Sequence, residues 1–202
     1  MRYAPTGIPQ GDLRRWLKQE LERISSAGRE TGWRDITGAV LTRGVGATDP
    51  DWAQLGAGPF YAYRFALNDV MWMSYHVPHD FVPNTEVHFH THWIPDGTDA
   101  NTVKWQFDYM YAKGFDQEAF NVTGANTTAE EAGPGVQWQH MVTESAGVDL
   151  TITEPDGIIY MKMTRLTNGG TDNTDDIFVL TSDVHYQSDR MATRGKAPPF
   201  YD

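Results

Sequence analysis

The sequence predicts a mainly β protein, a jelly-roll-like β-sandwich with a short N-terminal arm and helix. Three observations carry that expectation. Seven segments rich in aromatic and β-branched residues are separated by Gly, Pro, Asn and Asp turns. Within them, side chains alternate: Trp105, Phe107, Tyr109 and Tyr111 against Lys104, Gln106 and Asp108, as in a half-buried strand. Only one stretch has helical periodicity, so helix-on-helix and α/β architectures have no support.

The helix comes first. Leu13, Trp16, Leu17, Leu21 and Ile24 fall at i, i+3, i+4, i+8 and i+11, a single apolar stripe. Pro9 and Gly11 mark its start, Asp12 is the expected N-cap and Gly28 the stop. Arg14, Arg15, Lys18, Glu22 and Arg23 form the opposite face. The stripe packs on its own domain or docks on a partner, and the sequence leaves both open. We divide the chain into an arm, 1–30, and a sandwich, 31–202.

Strands are expected over 60–66, 70–77, 85–94, 102–111, 136–142, 158–167 and 177–186, with weaker ones near 33–37 and 148–152. Ile159, Met161, Met163 and Arg165 share one face of their strand. Residues 112–135 are polar and Gly-rich and read as a long connection. The polar turn 169–176 lacks the ligand spacing, Gly and terminal Glu of a calcium loop. The segment 190–202 is basic and ends Pro-Pro-Phe-Tyr-Asp, a tail that could dock on an acidic neighbour.

Composition narrows the function classes. The chain has 202 residues, of which 40% are apolar and 12% aromatic, enough for one domain with an aromatic core. A net charge of −11 repels phosphate backbones, so nucleic acid is not an expected partner. The absence of cysteine excludes disulfides, thiolate catalysis and cysteine-held clusters. No run of 18 apolar residues is present and the N-terminus lacks a signal-peptide layout, so we expect a soluble protein made in a cytoplasm, without a membrane partner. The sequons at Asn121 and Asn126 then carry no meaning.

The densest chemistry is Glu86 to Trp93, E-V-H-F-H-T-H-W. On a strand, His88, His90 and His92 share one face while Val87, Phe89, Thr91 and Trp93 share the other. Imidazoles on one face can chelate zinc, iron or copper. Positions i and i+4 lie about 13 Å apart, so one ion takes at most two of the three histidines of one chain. The remaining ligand would be His185, His76 or a carboxylate from a neighbouring strand, or would come from other chains around a trimer axis. The alternative is a solvated or hydrogen-bonded polar face.

The H-x-H pair resembles the cupin enzymes, which implies a metal-dependent activity centred on His88 and His90. The glutamate that family places after its histidines is replaced here by Trp93-Ile94-Pro95-Asp96-Gly97. No G-x-S-x-G elbow, H-E-x-x-H helix or phosphate-cradling loop occurs either. We therefore expect no enzymatic activity, and no cofactor beyond a transition metal at this strand.

Three further stretches resemble a group of tailed-bacteriophage structural proteins. Tyr75-His76-Val77-Pro78-His79-Asp80-Phe81 with the following histidine strand is similar to that group's L-P-H-D-Y … D-I-H-P-H-V-H-W. Val103 to Tyr109 is similar to its V-K-W-x-L-E-Y, and Asp183-Val184-His185-Tyr186-Gln187-Ser188-Asp189 with Arg194 to its closing D-I-H-Y-x-x-D-x-x-G-S-R. Phe89 stands where the pattern has Pro, and Met191-Ala192-Thr193 where it has Gly-Ser. The resemblance covers roughly residues 70–195. It implies a homotrimeric virion component, with capsid decoration or head fibre, tail fibre and head–tail junction all open. Pro5-Thr6-Gly7-Ile8-Pro9-Gln10-Gly11 with the helix resembles the virion-attachment arms of phage fibre and spike proteins, which implies attachment to a major capsid, tail or portal protein. A third reading is a carbohydrate-binding module on a fibre, with a host surface glycan as its partner.

Overall fold

The computed structural model describes residues 10–27, 31–41 and 48–189. The segment 1–9, the helix stop at Gly28 and the basic tail 190–202 lie outside the described residues. Helix α1 (Gln10–Ala27) precedes strands β1 (Gly32–Thr37), β2 (Ala39–Leu41), β3 (Asp51–Gln54), β4 (Tyr61–Phe65), β5 (Val70–His76) and β6 (His88–Pro95). They are followed by β7 (Thr102–Ala112), β8 (Ala125–Ala132), β9 (Met141–Glu144), β10 (Ile158–Leu166) and β11 (Ile177–Ser188).

Two antiparallel sheets form. One runs β3-β4-β11-β6-β9, with β1 on the far half of β11, and the other runs β2-β5-β10-β7-β8. From β4 onward the first strand pairs with the last, β4 with β11. Inside that pair lie β5 with β10, β6 with β9 and β7 with β8. One long hairpin rolled upon itself gives this nesting, and the expected jelly-roll sandwich is the observed fold.

Between the sheets lie Phe65, Tyr75, Phe81, Phe89, Trp93, Trp105 and Phe107 with Met73, Met161 and Met163, all fully buried. Phe65 meets Trp105 edge-on at 5.4 Å and Phe89 stacks on Phe107 at 5.7 Å, geometries in which the positive ring edge or an offset face meets the neighbouring π cloud. The period-2 pattern of β7 thus separates core from outer face as expected. On β10, Ile159, Met161 and Met163 enter the core, while Ile158, Tyr160 and Lys162 on the other face are half-buried.

Several expectations need correction. The stretch 112–135 is not one connection, because it contains β8, an edge strand along β7. Its sequence, ANTTAEEA, is polar because most of its side chains face water, and backbone pairing with β7 holds it together with Ala129, which packs against the core. The strand expected over 136–142 shrinks to β9, and 148–152 offers only a bridge, Val148 to Val87. Short β2 and β3 add to the strands expected. The helix begins at Gln10, so Asp12 lies in its first turn rather than at the cap. Leu17 and Leu21 are 45% and 65% exposed, so this part of the apolar stripe is not covered by the chain's own domain.

Arg165 occupies an inward position of β10 and is buried. Its guanidinium donates to the carbonyls of Phe65 (2.6 Å), Asn173 (2.6 Å) and Asp175 (3.1 Å). The Asn173 amide in turn donates to the Asp99 and Asn101 carbonyls at 2.8 and 3.1 Å. A cation thus closes one end of the sandwich, tying the loops after β4, β6 and β10 together. In the 169–176 turn, Asp172 and Asp175 cap backbone N–H groups rather than converge on an ion. Arg165→Met keeps the length but strands three buried carbonyls, each costing about 1–3 kcal/mol. Urea unfolding of this variant should show a loss of about 3 kcal/mol or more, with the secondary structure retained.

Candidate functional site

β6 lies between β9 and β11, and its alternation sends Phe89, Thr91 and Trp93 into the core. His88, His90 and His92 therefore stand on the outer face of the sheet. Register decides their company: His90 lies opposite Asp183 of β11 and Glu144 of β9, His92 opposite Thr181 and Val142, and His88 opposite His185. β1 adds Asp35 opposite His185. Five of the chain's seven histidines, namely 88, 90, 92, 140 and 185, gather on this face.

A β-bulge aligns the face. The β11 partners jump from Val179 to Thr181 across Trp93 and His92. Leu180 is the extra residue, so the parity of β11 changes there. Ile177 and Val179 point inward before it, and Ser182, Val184 and Tyr186 after it, which turns Asp183 and His185 outward.

The contacts are close. His90 Nε2 and His92 Nε2 share a hydrogen bond of 2.7 Å, and His92 Nδ1 shares another of 2.7 Å with His140 Nε2. Asp183 Oδ2 lies 3.8 Å from His90 Nε2 and 3.6 Å from His92 Nε2, beyond hydrogen-bond reach. Asp183 Oδ1 accepts from Thr181 Oγ1 at 2.9 Å. His185 is held through both nitrogens: Nε2 lies 2.7 Å from Asp35 Oδ1 and Nδ1 pairs with Glu144. His88 Nδ1 meets the Ser145 carbonyl at 3.1 Å, and Trp33 stands edge-on to its ring at 5.2 Å.

His90 is only 2% exposed, and its Nδ1 is buried without a hydrogen-bond partner. Burial, then the neighbouring His185 and His92, hold its pKa below the ordinary histidine value. Burial also lowers that of His92, against the pull of Asp183. Both shifts favour the neutral imidazole, the form in which a ring nitrogen offers its lone pair.

Two groups of donors lie close enough to share an ion, with ligand atoms within 4.8 Å of one another: His90, His92 and Asp183, and Asp35, His90 and His185. Of the residues the sequence nominates, His90, His92 and His185 meet here. His88 belongs to neither group. His76 is elsewhere, 3.0 Å from Asp156, which His79 also approaches at 3.3 Å. Asp35, His140 and Asp183 are the residues the sequence reading missed as site members. Alternation marks Asp183 as a candidate only once the bulge is known.

The stretches that resemble phage proteins also meet. Asp80 accepts from Tyr186 Oη at 2.9 Å, and from Ser188 Oγ and Arg34 Nη1 at 2.6 Å each. Val103 to Tyr109 lies on β7 across the core, where Tyr109 and Phe107 pack on Phe89. These motifs build the core and its polar pins.

No protein-family model matches the sequence, and no curated protein matches it. Among solved structures, a CBM35 from Cellvibrio japonicus Abf62 is similar with a TM-score of 0.39 and 11% identity, over 76% of this chain and 92% of that one. A family 6 carbohydrate-binding module from Clostridium cellulolyticum in complex with xylose has a TM-score of 0.33 and 11% identity, covering 77% and 89%. A chain of infectious bursal disease virus Gt strain has 0.37 and 11%, covering 79% of this chain and 32% of its own. Likeness at this level says nothing of function. The fold assignment rests on the strand pairing.

Burial, together with the bond to Asp80, pushes the Tyr186 phenol up to about 12 from its ordinary 10. A raised phenol favours the folded state below pH 10, and that contribution fades as pH climbs toward 12. Unfolding free energy should therefore fall across pH 10–12. Tyr186→Phe should flatten the fall by at most about 2–3 kcal/mol, measured by denaturant titration at each pH.

Proposed function

We propose that the protein is a structural subunit of a bacteriophage particle, a β-sandwich that trimerises and is held to the particle through its N-terminal arm. The observation that carries this reading is apolar surface that the described residues leave unburied. Val40, Trp52, Tyr61 and Leu180, all exposed, line one cleft of about 320 Å³ that opens between the two sheets at the edge formed by β2, β3 and β4, with the buried Met71 and Met73 also lining it. Trp52 stacks on Tyr61 at 6.4 Å and meets Tyr63 edge-on at 4.9 Å. Clustered exposed aromatics of this kind suit contact with another protein surface. A second apolar surface, Leu17 and Leu21, stands on α1.

Two surfaces suit two contacts: the flank between subunits, the helix on the particle. The three stretches resembling tailed-phage structural proteins support the same reading and supply the kind of particle. The cupin-like alternative gains nothing from the geometry, because the imidazoles face away from the sandwich interior. Capsid decoration, head fibre and tail fibre all accommodate such a subunit.

Light scattering should give three times the 22.8 kDa chain mass. Trp52→Glu should give monomers with an unchanged circular dichroism spectrum. A wild-type monomer at high concentration would sink the trimer. Leu17→Glu combined with Leu21→Glu should abolish incorporation into particles while leaving the melting temperature of the free protein within a degree or so. Undiminished incorporation would remove the arm from the attachment role.

A further inference from the structure

We propose that His90 Nε2, His92 Nε2 and Asp183 Oδ2 bind one divalent transition-metal ion, of which zinc suits the donors best, within a single chain. The argument is geometric. The three atoms form a triangle with sides of 2.7, 3.6 and 3.8 Å. The point equidistant from its corners is about 2.0 Å from each, against ~2.0–2.2 Å for zinc bonds to imidazole and carboxylate. An ion ~2.1 Å from all three stands about 0.7 Å above their plane. That is the displacement of a tetrahedral ion above a base of three ligands. The 2.7 Å side gives an N–metal–N angle of about 80°, so a regular tetrahedral ion requires the two imidazoles to move apart by about 0.7 Å.

Charge points the same way. Asp183 is a buried carboxylate whose Oδ2 faces two imidazoles at distances too long for hydrogen bonds. Its other oxygen is held by the Thr181 hydroxyl, so Oδ2 has no cation within hydrogen-bond reach to offset the burial. A divalent ion between the three donors supplies one. His140 completes the arrangement. With His92 Nε2 on the ion, His92 Nδ1–H donates to His140 Nε2, the outer hydrogen bond that fixes a ligating imidazole in its tautomer and orientation. The competing group, Asp35, His90 and His185, is weaker because both nitrogens of His185 are already paired with carboxylates.

Three protein donors leave a fourth position open. His90 is closed off from solvent while the His92 side chain is partly exposed, so the open position is reached past His92. Water or a donor from another molecule can fill it. Two imidazoles and one carboxylate also suit iron(II) or cobalt(II), and cobalt provides a visible reporter.

The test uses the full-length chain prepared without an affinity tag, stripped with chelator and titrated separately with Zn²⁺ and Co²⁺. One ion per chain is expected, with a tetrahedral cobalt absorption band and a rise in melting temperature on adding Zn²⁺. His92→Ala and Asp183→Asn should each weaken binding about a hundredfold or more and remove the thermal shift. His140→Ala should cost about ten- to a hundredfold, and His88→Ala and His76→Ala should change nothing. Circular dichroism of the metal-free variants checks folding, and His92→Gln takes the place of a variant that fails that check. Failure of the wild type to bind, or binding untouched by His92→Ala and Asp183→Asn, would overturn the site. One ion per three chains would overturn its single-chain nature and move the metal to a subunit axis.

Discussion

The register of β6 against β11 is the constraint on which the rest of the structure depends. It is set by a single unpaired residue, Leu180, between Val179 and Thr181. Ahead of the bulge, Trp93 and Val179 face the core together. Beyond it Thr91 faces Ser182 and Phe89 faces Val184, again inward. Without the extra residue, every side chain of β11 from Thr181 on would change faces. Val184 and Tyr186 would leave the core, and Asp183 and His185 would be driven into it. The buried inward positions of β11, Ile177 and Val179 before the bulge and Ser182, Val184 and Tyr186 after it, thus hold the register, and the outer histidine face follows from it.

The same residue has a second effect. Because Leu180 has no partner on β6, its side chain turns outward, 47% exposed, toward the cleft that Trp52 and Tyr61 line. Bulges re-aim side chains at the places where sheets do something other than pack. Here one re-aims a carboxylate toward two imidazoles and a leucine toward an aromatic flank. The histidine face and the aromatic cleft are therefore coupled through backbone geometry.

How much of this was legible in the sequence depends on the range of the interaction. Strands with clean alternation and buried aromatics, β5, β6, β7, β10 and β11, show their period in their own residues. The separation of His88, His90 and His92 from Phe89 and Trp93 follows from alternation alone. β8 was illegible because an edge strand with water on one side needs no apolar residues, and its cause lies in the free edge of β7. Asp35, His140 and Asp183 were illegible for a related reason. They are 55, 48 and 91 positions from His90, His92 and His92 in sequence, and only the nesting of strands brings them near. Arg165 shows the reverse case: the pattern placed a cation inward, and only its three carbonyl partners explain why it belongs there.

An ion at His90, His92 and Asp183 would not act mainly as a staple. Its ligands come from β6 and β11, which a backbone ladder from His88 to Pro95 already joins. Little chain freedom is left for a cross-link to remove, and the stabilisation from closing a loop is small when the loop is already closed. The larger effect is electrostatic. Folding buries Asp183 beside two imidazoles whose charged form that burial disfavours, and a divalent charge among them offsets the desolvation of the carboxylate. Stabilisation by metal would then be read mainly in Asp183: an asparagine there removes the charge that calls for the ion, while the ladder and the core beneath it remain.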